Sequence, residues 1–62
     1  MSKLREQLVD RMIAIYGMEN EIVIDFCNLC ERFENSEWND KCLTIMVEAH
    51  EAAPVFTLEN DE

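Results

Sequence analysis

Residues 21–34, EIVIDFCNLCERFE, decide the fold class of this chain. Apolar side chains recur along one side of the segment, at Ile22, Phe26, Leu29, Cys30 and Phe33. Polar side chains recur on the opposite side, at Glu21, Asp25, Asn28, Arg32 and Asn35. The β-branched run at residues 22–24 could form a strand, but the polar stripe continues through it with a period of about 3.6 residues and not 2. The segment therefore predicts an amphipathic helix with Asn20 as its N-cap.

The preceding segment has the same periodicity and predicts a first helix over about residues 3–16. Its apolar positions recur at three- and four-residue steps, at Leu4, Leu8, Met12, Ile15 and Tyr16. Ser2 is a suitable N-cap, because its hydroxyl can accept a hydrogen bond from the first turn. Gly17 supplies the left-handed residue that ends such a helix, and we expect Met18 to pack back on Ile13 as in a Schellman motif.

A third helix is predicted over about residues 37–53, with Ser36 as its N-cap. Glu37 and Asp40 place negative charge in its first turn, where the helix dipole favours it. The apolar residues expected to face inward are Trp38, Cys42, Ile45, Met46, Ala49 and Ala53. Pro54 ends the helix, because the residue before a proline is disfavoured in the helical conformation.

Three helices with short connections predict an all-α fold, an up-down three-helix bundle over residues 1–54. The helix at 21–34 has the widest apolar side, so we expect it to be the central element. Residues 55–62 form a short tail, with apolar Val55, Phe56 and Leu58 followed by acidic residues. Apolar residues make up 48% of only 62 residues. This is more apolar surface than three short helices cover among themselves, which predicts a homodimer.

The charge balance narrows the classes of partner. Fourteen acidic residues against five basic ones give a net charge of −9, which repels nucleic-acid phosphates and anionic lipids. A basic protein is the partner that this charge favours, with Glu21, Asp25 and Glu34 as candidate contacts beside the apolar Val55, Phe56 and Leu58 of the tail. We expect no direct nucleic-acid binding and no membrane binding. A nucleic-acid-mimicking inhibitor is the alternative, because regularly spaced carboxylates can imitate phosphates.

No apolar run approaches the length of about 20 residues that spans a bilayer. Charged residues also interrupt the beginning of the chain, which argues against a signal peptide. The sequence therefore predicts a cytoplasmic protein.

Cys27, Cys30, Cys42 and His50 make up a set that could bind zinc, and the C-x2-C spacing is used in such sites. The first two lie within an apolar helical stripe and not in a tight turn, so we interpret the cysteines as reduced core thiols. A small structural zinc module remains an alternative. We predict no cofactor and no enzyme activity, because one glycine cannot form a phosphate loop and so short a chain leaves little room for a pocket.

Four short runs, IYG at 15–17, IDFC at 24–27, CE at 30–31 and VEAHE at 47–51 before Pro54, carry a resemblance. Over residues 3–54 the chain resembles small uncharacterised proteins of conjugative transposons and phages of Gram-positive bacteria. The resemblance implies a bacterial cytoplasm and an accessory role on a mobile element, and it brings no activity or site residues with it. The sequence thus predicts a non-enzymatic, acidic protein-interaction module.

Overall fold

The computed structural model describes residues 2–55, which form three α-helices. Helix α1 spans Lys3–Tyr16, α2 spans Glu21–Arg32 and α3 spans Glu37–Ala52. The predicted all-α class is confirmed. Phe56 and Leu58, the remaining apolar residues of the tail, lie outside the described residues.

Each helix begins at the N-cap that the sequence predicts. The Ser2 hydroxyl accepts a hydrogen bond from the Arg5 N–H at 3.2 Å. The Asn20 side chain accepts one from Ile22 at 2.8 Å, and the Ser36 hydroxyl accepts one from the Asn39 N–H at 3.1 Å. Each cap satisfies a backbone donor that the first helical turn leaves without a partner.

The helix ends differ in part from the prediction. Gly17 has the expected positive φ, at 97°, but Met18 is 72% exposed, so the predicted packing of Met18 on Ile13 is wrong. Helix α2 stops at Arg32, two residues early, and Phe33 is extended. The carbonyl groups of Phe33 and Glu34, which follow the end of α2, accept hydrogen bonds from the side chain of Arg5 in α1.

Helix α1 is the central element, which corrects the expectation for α2. It packs against both other helices, whereas α2 and α3 have few close contacts with each other. The first turns of α1 and α3 lie together, joined by Arg5 and Asp40, and their last turns meet at Tyr16 and His50. The two helices are therefore parallel, and α2 runs in the opposite direction, as in an up-down bundle.

The core contains residues of all three helices: Leu8, Met12, Val23, Phe26, Cys30, Leu43 and Val47. Full burial of one such side chain stabilises a fold by about 1.5–3 kcal/mol. None of the helices within residues 2–55 has the length and apolar content to cross a bilayer.

The predicted inward stripe of α3 is largely wrong. Leu43 and Val47 are fully buried, whereas Trp38 is 73% exposed and Ile45 is 57% exposed. Met46 does pack against the core from its edge. A polar contact explains this orientation of α3. Asp40 lies on the same side of the helix as Leu43 and Val47, and its hydrogen bond with Arg5 directs that side toward α1.

Candidate protein-binding surface

A buried arginine sets the position of α3. Arg5 is 1% exposed, and its guanidinium donates hydrogen bonds to the carbonyl oxygens of Cys30, Phe33 and Glu34, at 2.6, 2.8 and 2.9 Å. Its Nε donates to Asp40 Oδ1 at 2.8 Å. A charge this deeply buried is tolerated only when its donors are satisfied. Arg5 therefore joins the end of α2, the following loop and the first turn of α3.

A second contact fixes the beginning of α3 against the same loop. The Asn39 side-chain amide donates to the Glu34 carbonyl at 2.9 Å. This carbonyl thus accepts from both Arg5 and Asn39. Trp38 lies between Asn39 and Glu37, the first residue of α3. The hydrogen bonds of Asp40 and Asn39 therefore fix the helical turn that carries the exposed indole.

The outer face of α3 is the surface opposite Leu43 and Val47. It consists of Trp38, Cys42, Ile45, Ala49 and Ala52, of which Cys42 is half-buried and the others are exposed. At about 100° per residue, Trp38 lies roughly 140° around the helix from Leu43. An exposed tryptophan in line with an exposed isoleucine is typical of a protein-contact surface, because tryptophan is enriched among the residues that dominate binding energy.

A shallow groove extends from this face toward α1. Its walls are formed by Leu4, Glu37, Trp38, Asp40, Lys41 and Thr44. Leu4 is 39% exposed there, although its spacing predicts an inward position; its neighbour Arg5 is buried instead. The groove therefore joins apolar side chains to charges of both signs.

The opposite end of the bundle uses aromatic and exposed contacts. The Tyr16 hydroxyl lies 2.7 Å from His50 Nδ1, and the two rings meet edge to face with centroids 5.5 Å apart. The same hydroxyl accepts a hydrogen bond from the Val55 N–H at 2.8 Å. This places Val55, which is itself exposed, beside the end of α1.

A surface ion pair lies near this end. Arg11 donates two hydrogen bonds to Glu51, at 2.8 and 2.6 Å. The hydrogen bonds from Arg11 lower the pKa of the Glu51 carboxyl, and those accepted by Glu51 raise the pKa of Arg11. Glu51 is thereby engaged within the chain.

The structure leaves the predicted acidic contacts on the surface. Glu21 and Asp25 are exposed one turn apart on α2, and Glu34 is exposed in the loop between α2 and α3. None of the three carboxylates makes an ion pair within residues 2–55. They can contact a partner without first breaking a bond inside the chain.

The candidate metal ligands are not brought together. Across residues 2–55, no group of three or more His, Cys, Asp or Glu side chains could hold a metal ion. All three cysteines are free thiols, and His50 is occupied with Tyr16. Cys30 is buried, and this burial raises the pKa of its thiol, which disfavours the thiolate that binds metals.

The contact between Arg5 and Asp40, which orients α3 and so exposes this surface, was not identified from the sequence. Arg5 and Asp40 each lie three residues before a fully buried leucine, Leu8 and Leu43. Opposite charges at equivalent places on two apolar stripes are the signal that could have identified the pair. The comparisons with known proteins add nothing to this geometry, since no family model, curated protein or solved structure matches the chain.

Proposed function

We propose that this chain is a non-enzymatic protein-interaction module whose main binding surface is the outer face of α3. The observation that carries the proposal is Trp38, which is 73% exposed although Arg5 and Asn39 hold its helical turn firmly in place. Exposing a large indole on a rigid helix has an energetic cost in water that contact with a protein removes. We place this function in the cytoplasm.

A photo-crosslinking phenylalanine analogue tests this surface directly. We expect the analogue at position 38 to form an adduct with a protein in cells, because the side chain there lies in the contact. The matched control is position 18. Met18 is exposed to the same degree as Trp38, but it follows the last turn of α1, at the opposite end of the bundle. Adducts at position 18 but none at position 38 would contradict the proposal.

A basic protein partner is the second part of the proposal. It is supported by Glu21, Asp25 and Glu34, whose carboxylates are exposed and make no ion pair in the described part of the chain. Replacing all three with lysine is expected to abolish capture of that partner, and added salt is expected to weaken capture by the unaltered protein. Capture that survives both changes would remove the basic partner from the proposal.

The accessory role on a mobile element stays a prediction of the sequence resemblance. The geometry of the α3 face is compatible with such a role, since a binding module needs no active site.

A further inference from the structure

We propose that the outer face of α3 binds the same face of a second copy of this chain, with the two α3 helices antiparallel about a two-fold axis at Ile45. This inference rests on the proposed function and names its partner. A symmetric dimer requires that one face be complementary to itself. The outer face of α3 meets this requirement in spacing, in side-chain size and in charge.

The spacing along the face is that of a helix-packing seam. Its residues follow one another at steps of four, three, four and three, in the order Trp38, Cys42, Ile45, Ala49 and Ala52. This repeat keeps a stripe directed at a neighbouring helix over its whole length. Leu43 and Val47 face the core on the other side of α3. The helix therefore has two packing faces, of which residues 2–55 cover only one.

The sizes of the side chains select the antiparallel direction. With the axis at Ile45, residue 38 of each copy faces residue 52 of the other. Trp38 then packs on the partner's Ala52, and the same large-on-small contact forms a second time by symmetry. A parallel pair would instead place tryptophan on tryptophan at one end and alanine on alanine at the other. That arrangement leaves a gap which close packing does not tolerate.

The charges beside the seam select the same arrangement. Lys41 and Glu48 lie on one side of it, seven residues apart, and neither makes an ion pair within residues 2–55. In the antiparallel pair Lys41 comes beside the partner's Glu48, again twice. Of the remaining acids of α3, Asp40 is paired with Arg5 and Glu51 with Arg11. The third, Glu37, lies one turn before Lys41 and therefore beyond the place where the partner's Glu48 comes beside it.

These charges favour a second copy over a basic helix on this face. A basic helix would bring positive charge against Lys41, whereas a second copy offers Glu48 at that place. The acidic residues that suit a basic partner, Glu21, Asp25 and Glu34, belong to α2 and the loop after it. The two contacts therefore use different parts of the molecule.

Sedimentation and fluorescence test the dimer together. Trp38 is the only tryptophan, so its emission reports on this face alone. We expect a dimer that dissociates on dilution, with the Trp38 emission shifting to longer wavelength in parallel. By sedimentation, Trp38→Ala is expected to be monomeric, whereas the control Met18→Ala dimerises like the unaltered protein. Circular dichroism and thermal melts establish that each exposed-site variant is folded.

A charge exchange tests the direction of packing. Lys41→Glu and Glu48→Lys each turn two attractive pairs into repulsive ones, and we expect each to weaken dimerisation by roughly tenfold. The double variant K41E/E48K restores attraction and with it the dimer. Mixing the two single variants is expected to give a heterodimer tighter than either homodimer. Glu21→Lys, which changes net charge as Glu48→Lys does, is the control that leaves dimerisation intact.

The outcomes separate this inference from the proposed function. A chain that stays monomeric up to about 1 mM, while position 38 still crosslinks to another protein, overturns the second copy and leaves the interaction module. The absence of any adduct at position 38 overturns both. A dimer that Trp38→Ala and the charge exchange do not alter overturns the α3 face as its interface. A dimer that both alter as described supports it.

Discussion

The two ends of this bundle are held by different chemistry. At one end the buried Arg5 guanidinium makes four hydrogen bonds to α2, the loop after it and α3. At the other end Tyr16 contacts His50 and Val55, and an exposed Arg11 pairs with Glu51. Water can replace the exposed contacts at little cost, whereas Arg5 is only 1% exposed and its contacts are buried or part-buried, so their loss leaves a buried charge without partners.

This difference determines which part of the molecule is the more rigid. A local opening at the Tyr16 end exposes partly wet groups, whereas an opening at the Arg5 end separates three segments at once. Trp38 lies at the Arg5 end, between the Ser36 cap and Asn39. The Trp38 end of the proposed binding surface thus lies at the Arg5 end of the bundle, so that binding there orders few additional side chains.

Removing Arg5 should produce the largest effect. We expect Arg5→Met to destabilise the fold by about 3–5 kcal/mol, because Asp40 and three carbonyl groups lose the charge that satisfies them. For a chain of 62 residues this loss approaches the whole stability. Urea denaturation followed by circular dichroism measures the loss. Arg11→Met makes the same chemical change at an exposed position, and equal stability of the two variants would refute the comparison between the ends.

The carboxylate at this end should matter less than the guanidinium. Asp40→Asn removes one charged acceptor of Arg5 but leaves the three carbonyl groups bound, so we expect a loss of about 1.5–3 kcal/mol. Glu37→Gln removes a charge from the same helical turn at a residue that makes no ion pair within residues 2–55, and it serves as the control. Indistinguishable midpoints in urea for the two variants would show that the Arg5–Asp40 bond contributes nothing beyond the helix dipole.

The sequence pattern identified the helices better than it identified their orientation. The caps at Ser2, Asn20 and Ser36 could be predicted because capping is local chemistry, settled by a hydroxyl or amide and the next turn. The rotation of α3 is not local. Its two faces both show three- and four-residue apolar spacing, so periodicity alone does not choose between Val47 and Ile45.

The choice depends on polar residues that hydropathy assigns to the outside. Asp40 and His50 flank Leu43 and Val47 on the core side of α3, and each meets a polar group of α1. The outer stripe of α3, from Trp38 to Ala52, is purely apolar, which predicts that it faces the core. It contains no side chain that accepts a hydrogen bond from Arg5, whereas the other side of the helix contains Asp40. The sequence therefore groups the residues of the candidate surface on one stripe of α3. That this stripe is exposed depends on the contact between Arg5 and Asp40, which are 35 positions apart in the chain.

At the second end, the Tyr16 hydroxyl should have a moderate effect. We expect Tyr16→Phe to lower stability by about 1 kcal/mol, since the ring stays in place and only polar contacts are lost. The amide of Val55 should exchange faster with solvent, because it loses the acceptor at 2.8 Å. Hydrogen exchange followed by NMR measures this locally, with the Ala53 amide, bonded to Ala49, as an internal control. Unchanged protection of Val55 would show that the hydroxyl does not hold the chain after α3.

The exposed pair should have the smallest effect, visible in its dependence on pH. Arg11 lowers the pKa of Glu51 in the folded chain below the unfolded value of about 4.3. A depressed folded pKa contributes stability that is present above the unfolded pKa and is lost as the pH falls through the folded one. Arg11→Met should therefore lower the thermal midpoint slightly at pH 7, and this difference should shrink as the pH falls and Glu51 becomes protonated in the folded chain. A difference between the two proteins that is as large in acid as at neutral pH would mean that Arg11 acts through the packing of its side chain, and the contrast between the ends would then rest on burial alone.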